Sequence, residues 1–507
     1  MGRLKNIGRG IFVGFLNNIL GIILPFISRT IIIHQLGTEY VGLGSLFTSI
    51  LQVLSLSELG FGVAIGYLLY KPLAEGDRAK VNAILRFYRI IYLIIGILIL
   101  VISTILYPFL DKLIAGDVPA NINIHVLYII YVVNTAISYF FFAYKKILLS
   151  ANQRYDIEVG ITSCVFAVKS IVQISLLLVF RNYYVYVIVI PVMTLLGDIV
   201  AYVTTNKKFP GYVCEGRLNQ KDIRDILKNT GGAFFSKIGS TVYLSVDNII
   251  ISAFLGLSIL GKYNNYYYVI SSLIAVFAVI HNSIRPAVGN IIVTENKEAI
   301  WSIFTKTNYI YMLFVILCSN CCYVLFQDFE QVWCGSDNML GFDIVILLVI
   351  YFFVGRITSL LSVYLEAAGI LWQGKFVPLV SAFVNLLLNI VLVNISGLRG
   401  VLISSIISSL FINLPGYTHI IFKYLFTDKR QRHLFFKDTI ILIVQMIIIV
   451  LICTITVNNI NVDNWGDLLI KGAITSLVVG VVIFVLNIKN TYFIELFQQL
   501  KCYSHVR

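Results

Sequence analysis

Apolar runs of 18 or more residues recur from one end of this 507-residue chain to the other, and few folds accommodate that. A soluble chain of this length divides into several domains with charged surfaces. Here 59% of residues are hydrophobic and only 12% charged, so the solvent for most side chains is lipid. Without water in the bilayer core every backbone N–H and C=O must be satisfied internally, which leaves helices as the spanning element for runs of this length. The expected fold is an all-α polytopic membrane protein.

Fourteen spans can be drawn, at 9–33, 41–69, 86–109, 124–149, 156–180, 184–205, 229–255, 264–292, 303–326, 341–366, 372–394, 400–424, 438–457 and 467–487. The start, Met1 to Arg9, is basic, but the run from Ile11 to Ile33 is too long for a signal core and reads as a first span. Connections are short, and those near 327–340 and 458–466 are the longest expected outside. The stretch 206–228, with Ile223, Ile226 and Leu227 between charges, predicts a short interfacial helix.

The net charge of +13 is explained by topology and not by nucleic acid. Starting from a cytoplasmic N-terminus, inner segments hold 29 of the 38 Lys and Arg. The outer ones hold only Lys112, Arg181, Lys262, Arg399 and Lys471. That bias places both termini in the cytoplasm.

An internal repeat is visible. Leu36-Gly37-x4-Gly42 recurs as Leu255-Gly256-x4-Gly261, at an offset of 219, and Ala74-Glu75-Gly76-Asp77-Arg78 lies within one residue of the equivalent place for Thr294-Glu295-Asn296-Lys297-Glu298. An even number of spans between copies makes the repeat parallel, with a transport site expected between two six-helix lobes. The expected organisation is an N-lobe at 1–205 and a linker at 206–228. A C-lobe follows at 229–426, then two further helices and a tail at 427–507.

Four cations, Arg29, Lys169, Lys237 and Arg356, remain inside the spans. A cation in hydrocarbon costs about 2.5–3.5 kcal/mol on the insertion scale, so it faces a partner or a wet cavity. Lys169 and Arg356 lie about 20 Å from a span end, close to the midplane. Arg29 and Lys237 are nearer the ends, where snorkelling to the headgroups is the competing reading. The offset relates Asn18 to Lys237 and Arg29 to Asn248, so the two lead helices carry an amide and a cation in opposite order. If both line one cleft, an anion meets a cation at each depth.

The candidate substrate-binding residues are therefore Arg29, Lys169, Lys237, Arg356, Asn18 and Asn248. The intramembrane acids Asp247, Asp198 and Glu58 are candidates for coupling to H⁺ or Na⁺, or counter-ions for the cations; pairing of Arg356 with Asp198 or Asp247 is one alternative. Pro25, Pro191, Pro378 and Pro415 are expected to interrupt their spans. No P-loop, HExxH, GxSxG or zinc-like Cys/His cluster occurs, so no enzyme, metal or cofactor is expected. Cys318 and Cys321 have a redox-pair spacing, but their apolar setting favours packing.

The chain resembles polysaccharide-biosynthesis exporters of the Wzx type, in the multidrug/oligosaccharidyl-lipid/polysaccharide flippase superfamily. The resemblance rests on Gly14-Phe15-Leu16-Asn17-Asn18, on His34-Gln35-Leu36-Gly37-Thr38-Glu39-Tyr40-Val41-Gly42-Leu43 and on Leu56 to Ala64 with Leu73 to Asp77. It implies a bacterial inner-membrane flippase that moves an undecaprenyl-diphosphate-linked oligosaccharide outward by alternating access. The diphosphate would occupy the cationic cleft and the tail would stay among membrane lipids. Glycosyltransferases and a glycan polymerase of the same pathway would be partners. Competing readings are a peptidoglycan lipid-precursor flippase, a multidrug or cation antiporter of the same fold, and, in a different class, a membrane glycan polymerase or ligase.

Overall fold

The computed structural model describes residues 2–55, 61–116, 118–426, 428–457 and 459–495. Side chains are described at these positions except 2–13, 15, 16, 61, 63, 64, 67, 143, 221, 225–233 and 371. Helices account for nearly all the ordered structure, and no strand occurs among the described residues. Eleven helices there are long and apolar enough to cross a bilayer, or twelve if the bent pair Ile124–Phe140 and Tyr144–Ala151 forms one span. The all-helical membrane class is thus met, with a lower span count than fourteen. Two features account for the difference. Residues 234–294 run on as one helix broken at Gly256, and the expected second span is divided into Thr38–Leu54 and Phe61–Glu75 by residues outside those described.

Other boundaries shift for local reasons. The helix beginning at Gln220 continues directly into the next span, so 220–228 extend that span and do not form a separate interfacial helix. The helix Lys297–Cys334 runs past the expected end at 326 and absorbs most of the outer loop expected at 327–340. Pro25 and Pro191 lie inside helices. Pro378 sits in the first turn of Val377–Ser396, where a missing N–H costs nothing. Pro415 lies within the continuous helical run Leu398–Tyr424. A wide π-type turn at Ser409–Asn413 precedes Pro415.

The repeat is built into the helix caps. Asp77 accepts from the Lys80 N–H at 2.9 Å, and 219 residues on Asn296 accepts from the Ala299 N–H at 2.9 Å. Both satisfy an otherwise orphaned donor at a helix start. Gly37 and Gly256, again 219 apart, both adopt positive φ, 117° and 86°, which only glycine reaches without strain.

The chain divides into two compact units, 1–264 and 265–507. The first unit includes the helix leading to Gly256 because that helix is hydrogen-bonded to Thr38–Leu54. Ser245 Oγ lies 3.2 Å from Gln52 Oε1, and Asn248 Nδ2 donates to Ser49 Oγ at 2.8 Å. A boundary drawn at 206–228 from the repeat alone falls earlier.

In the second unit, Lys429–Val457 and Trp465–Asn487 pack on Lys297–Cys334 through polar contacts set among apolar side chains. Lys471 pairs with Asp328 at 2.7 Å near one end, and Lys306 pairs with Glu495 at 2.5 Å near the other. Between them Asn487 is fully buried, accepts from Tyr309 Oη and from Gln445 Nε2, the latter at 3.0 Å. Interhelical hydrogen bonds in membrane proteins contribute about 0.6 kcal/mol on average and up to ~1.7 kcal/mol. Asn487→Ala removes two at once and orphans both partners. Its thermal midpoint in detergent is expected to fall, while Asn461→Ala, at an exposed position, leaves the midpoint unchanged. Equal midpoints for the two variants would show that the network is not holding these helices.

Candidate functional site

In the first unit, the helix Gly2–Gln35 carries Arg29 half-buried, and its guanidinium donates to the Asn264 carbonyl at 2.7 Å. Asn264 Nδ2 in turn donates to Asn248 Oδ1 at 3.2 Å. Arg29 and Asn248, which occupy equivalent repeat positions, therefore meet at one residue. Asn18 and Lys237 are each exposed, and no hydrogen bond of either side chain occurs among the described residues. It is the neighbouring amide, Asn17, that accepts from Ser163 Oγ at 2.8 Å.

Lys169 lies on Tyr155–Phe180, half-buried, with Nζ 5.0 Å from the centroid of the Phe166 ring. Its helix neighbours Ser170 and Gln173 are buried by packing. Ser170 Oγ donates to the Phe166 carbonyl, and Gln173 Nε2 donates to the Tyr186 carbonyl at 3.0 Å. Among the described residues no carboxylate lies within 4 Å of Lys169, Lys237 or Arg356.

Arg356, in the second unit, is on Phe342–Ala367. Its Cζ lies 5.8 Å from the Phe352 centroid, and its Nε is buried without a hydrogen-bond acceptor. A polar chain adjoins it. His281 Nε2 lies 3.0 Å from Tyr311 Oη, which lies 3.0 Å from Ser359 Oγ, and Tyr311 neighbours the Arg356 guanidinium. The nearby carboxylate Glu366 is taken by Arg285 at 2.7 Å. His281, Tyr311 and Ser359 come from three helices with no shared spacing, so nothing in the sequence groups them.

The acids have distinct fates. Asp198, 2% exposed, pairs with Lys146 at 2.5 Å. Its second carboxylate oxygen is buried without a hydrogen bond. Asp247 is buried in the first unit, and Glu58 lies outside the described residues. By sequence Lys146 counts among the 29 inner-segment cations. A reversal at Phe142, whose φ is 49°, turns Tyr144–Ala151 off the axis of Ile124–Phe140 by 46° and delivers Lys146 to Asp198. Lys471, grouped with the outer loops, is likewise buried against Asp328. No cluster of three or more His, Cys, Asp or Glu that would hold a metal occurs among the described residues. Cys321 Sγ sits 3.7 Å from Ser476 Oγ, at a helix contact.

The repeat glycines form the tightest backbone approach. A Cβ on Gly42 would overlap the Leu257 carbonyl, and a Cβ on Gly261 would overlap the Thr38 carbonyl. Thr38 and Leu257 are themselves 219 apart, so the contact is reciprocal: each copy of the motif presses its glycine on the other copy's backbone. Ala115 N–H donates to the Ser252 carbonyl at 2.8 Å beside it, and Tyr40 Oη donates to Asn121 Oδ1 at 2.5 Å. Small residues that let backbones touch are how helices associate where lipid supplies no hydrophobic drive.

Long apolar helices and a reciprocal repeat contact define a polytopic helical membrane protein. The chain shares its fold with solved structures of that class at 14% identity. One is "Lipid II flippase MurJ, inward closed conformation", with TM-score 0.64 over 95% of this chain and 99% of that one. Another is an inward-facing multidrug resistance MATE family transporter of the MOP superfamily, with TM-score 0.58 over 81% and 97%. A MOP superfamily transporter from Pyrococcus furiosus, whose structure is described as having a binding pocket of reverse polarity, matches at 13% identity and TM-score 0.54 over 83% and 94%. No curated protein sequence matches. The polysaccharide biosynthesis protein family model matches residues 7–291, more than half of the chain. The chain belongs to that family.

Proposed function

We propose that this protein carries an undecaprenyl-diphosphate-linked oligosaccharide from the inner to the outer leaflet of a bacterial inner membrane by alternating access. Arg29, Lys169, Lys237 and Arg356 receive the diphosphate along its path, with Asn18 and Asn248 beside them. The observation that carries the reading is the state of Arg356 and Lys169. Both lie deep in spans, both face aromatic rings, and neither has a carboxylate among the described residues to neutralise it. Apolar helices retain such cations at a cost that a negatively charged cargo offsets.

Fourteen crossings with both termini in the cytoplasm, in two six-helix lobes (1–205 and 229–426) and an added pair, complete the proposal. The Lys and Arg distribution supports that orientation. With the inside negative, outward passage of each negative charge is favoured by about 2.3 kcal/mol per 100 mV. Asp247, Asp198 and Glu58 are the acids proposed to couple transport to H⁺ or Na⁺. On this orientation the reciprocal Gly42–Leu257 and Gly261–Thr38 contact lies toward the outer surface and closes it.

The test is translocation in vesicles carrying a defined lipid-linked glycan, run with and without a membrane potential and with H⁺ or Na⁺ gradients. Glycan should appear in the far leaflet, faster when the potential favours anion exit. A protein that leaves such a lipid in place, yet extrudes organic cations, would be a multidrug antiporter instead.

A further inference from the structure

The second unit holds a cavity of about 450 Å³ whose lining includes none of Arg29, Lys169, Lys237 and Arg356. It opens where the helix Lys297–Cys334 meets the end of Lys429–Val457, the segment 459–464 and the start of Trp465–Asn487. We propose that this cavity is a saccharide-binding site, selective for neutral or amino sugars.

The volume lies within the range of small-molecule sites, about 300–1,000 Å³. Its polar lining comes from Asp328, Gln331, Asn461, Asp463 and Lys471, and Tyr323 supplies an aromatic wall. The Tyr323 and Phe342 rings meet edge to face at 5.3 Å, and both border the cavity. Amides and carboxylates spaced around a ring-sized hollow match the alternating donors and acceptors of sugar hydroxyls, and an aromatic wall packs against the C–H face of a pyranose.

Charge selects within that class. Lys471, 4% exposed at its side chain, is already committed to Asp328 at 2.7 Å. The carboxylate of Asp463 is therefore uncompensated by any cation lining the cavity, and the lining as a whole carries one net negative charge. A phosphate or a uronic acid is repelled, which separates this site from the cations proposed to carry the diphosphate. An amino sugar gains a counter-ion.

The rim is also held in place. Asn464 Oδ1 accepts from the Gly466 and Asp467 N–H groups, and Asp467 Oδ2 accepts from Asn464 Nδ2 at 2.8 Å and from the Asp463 N–H at 3.2 Å. This fixes the backbone on either side of the Asp463 carboxylate before any ligand arrives, which lowers the ordering cost of binding. A buried ion pair is a poor way to join helices, since apolar residues of the same size do so at least as well. Retaining Lys471 and Asp328 beside a hollow is better accounted for by the ligand they face.

A sugar here could be the glycan of a lipid-linked cargo, which rests on the transport reading, or a free saccharide, which does not. The probes are N-acetylglucosamine, glucose and glucosamine, with glucuronate and inorganic phosphate as controls. Binding to the full-length protein in nanodiscs is read by saturation-transfer difference NMR. The neutral and amino sugars are expected to bind in the millimolar range and the two anions not at all. Gln331→Ala/Asp463→Asn, both at exposed positions, should weaken sugar binding at least about tenfold, the loss of one or two hydrogen bonds, with the thermal midpoint unchanged. Absence of signal from all three sugars, or binding indifferent to the double variant, overturns the proposal.

The translocation assay then separates the sources. If the double variant also slows glycan translocation, the sugar belongs to the cargo; if only sugar binding falls, it is a free saccharide, and both results keep the site. Sugar binding in a protein that translocates no lipid-linked glycan would sink the transport reading and leave this site standing.

Discussion

Arg356→Ala and Lys169→Ala are each expected to abolish translocation of a lipid-linked glycan while expression and membrane insertion are retained. Insertion should improve, because each variant removes a cation that costs about 2.5–3.5 kcal/mol in the bilayer. Transport should fail, because a desolvated phosphate oxygen left without its cation loses about 2–5 kcal/mol of interaction, or some 30-fold and more in affinity. The conservative exchanges sharpen the test. Lys169→Arg keeps a charge near Phe166 and should retain partial activity. Arg356→Lys keeps the charge but loses the guanidinium beside Phe352 and Tyr311, and should fall between wild type and alanine. The measurements are leaflet flux in vesicles and complementation of a strain lacking the transporter. Full complementation by both alanine variants would leave the anionic cargo without support.

The second large effect is expected at the repeat glycines. Gly42→Val or Gly261→Val places a side chain where the partner motif's carbonyl already stands, so the reciprocal contact cannot form. The overlap exceeds the ~1–3 kcal/mol typical of overpacking, because the obstructing atoms are backbone and not a side chain that can swing away. If the contact closes the outer side of the transporter, both variants lose translocation and shift the protein away from that closed form. Cysteines at Ala115 and Ser252, whose backbones share a 2.8 Å hydrogen bond, report the state directly. They should cross-link in the parent and fail to do so with either valine. Undiminished cross-linking together with normal flux would mean that the contact is incidental packing. Because equivalent positions are involved, the two single variants should behave alike.

These two predictions draw unequally on sequence and structure. Arg356 and Lys169 stand out in the sequence because cations are so rare in apolar runs of that length. The glycine contact does not: the repeat shows that Gly42 and Gly261 correspond, but only the coordinates show that each touches the other's motif.

Hydropathy averages over a window and reports where charge is dense, not where one side chain points, so Lys146 and Lys471 read as loop cations. A left-handed residue at Phe142 and a helix start at Trp465 moved these lysines onto Asp198 and Asp328. Helices continue beyond the apolar run at Gln220 and at Cys334, where buried polar residues such as Glu330 lower the hydropathy without ending the helix.

By itself the sequence determined the helical membrane class, the parallel repeat and the presence of cations too deep to be surface charge. Those follow from length, hydropathy and spacing, which a bilayer constrains strongly because its core offers backbone groups no partner but each other. Tertiary structure alone decided which acid neutralises which base, that Arg29 and Asn248 converge on Asn264, and where a sugar-sized hollow lies. Those depend on side-chain direction and on contacts between helices hundreds of residues apart, and one-dimensional periodicity carries no record of either.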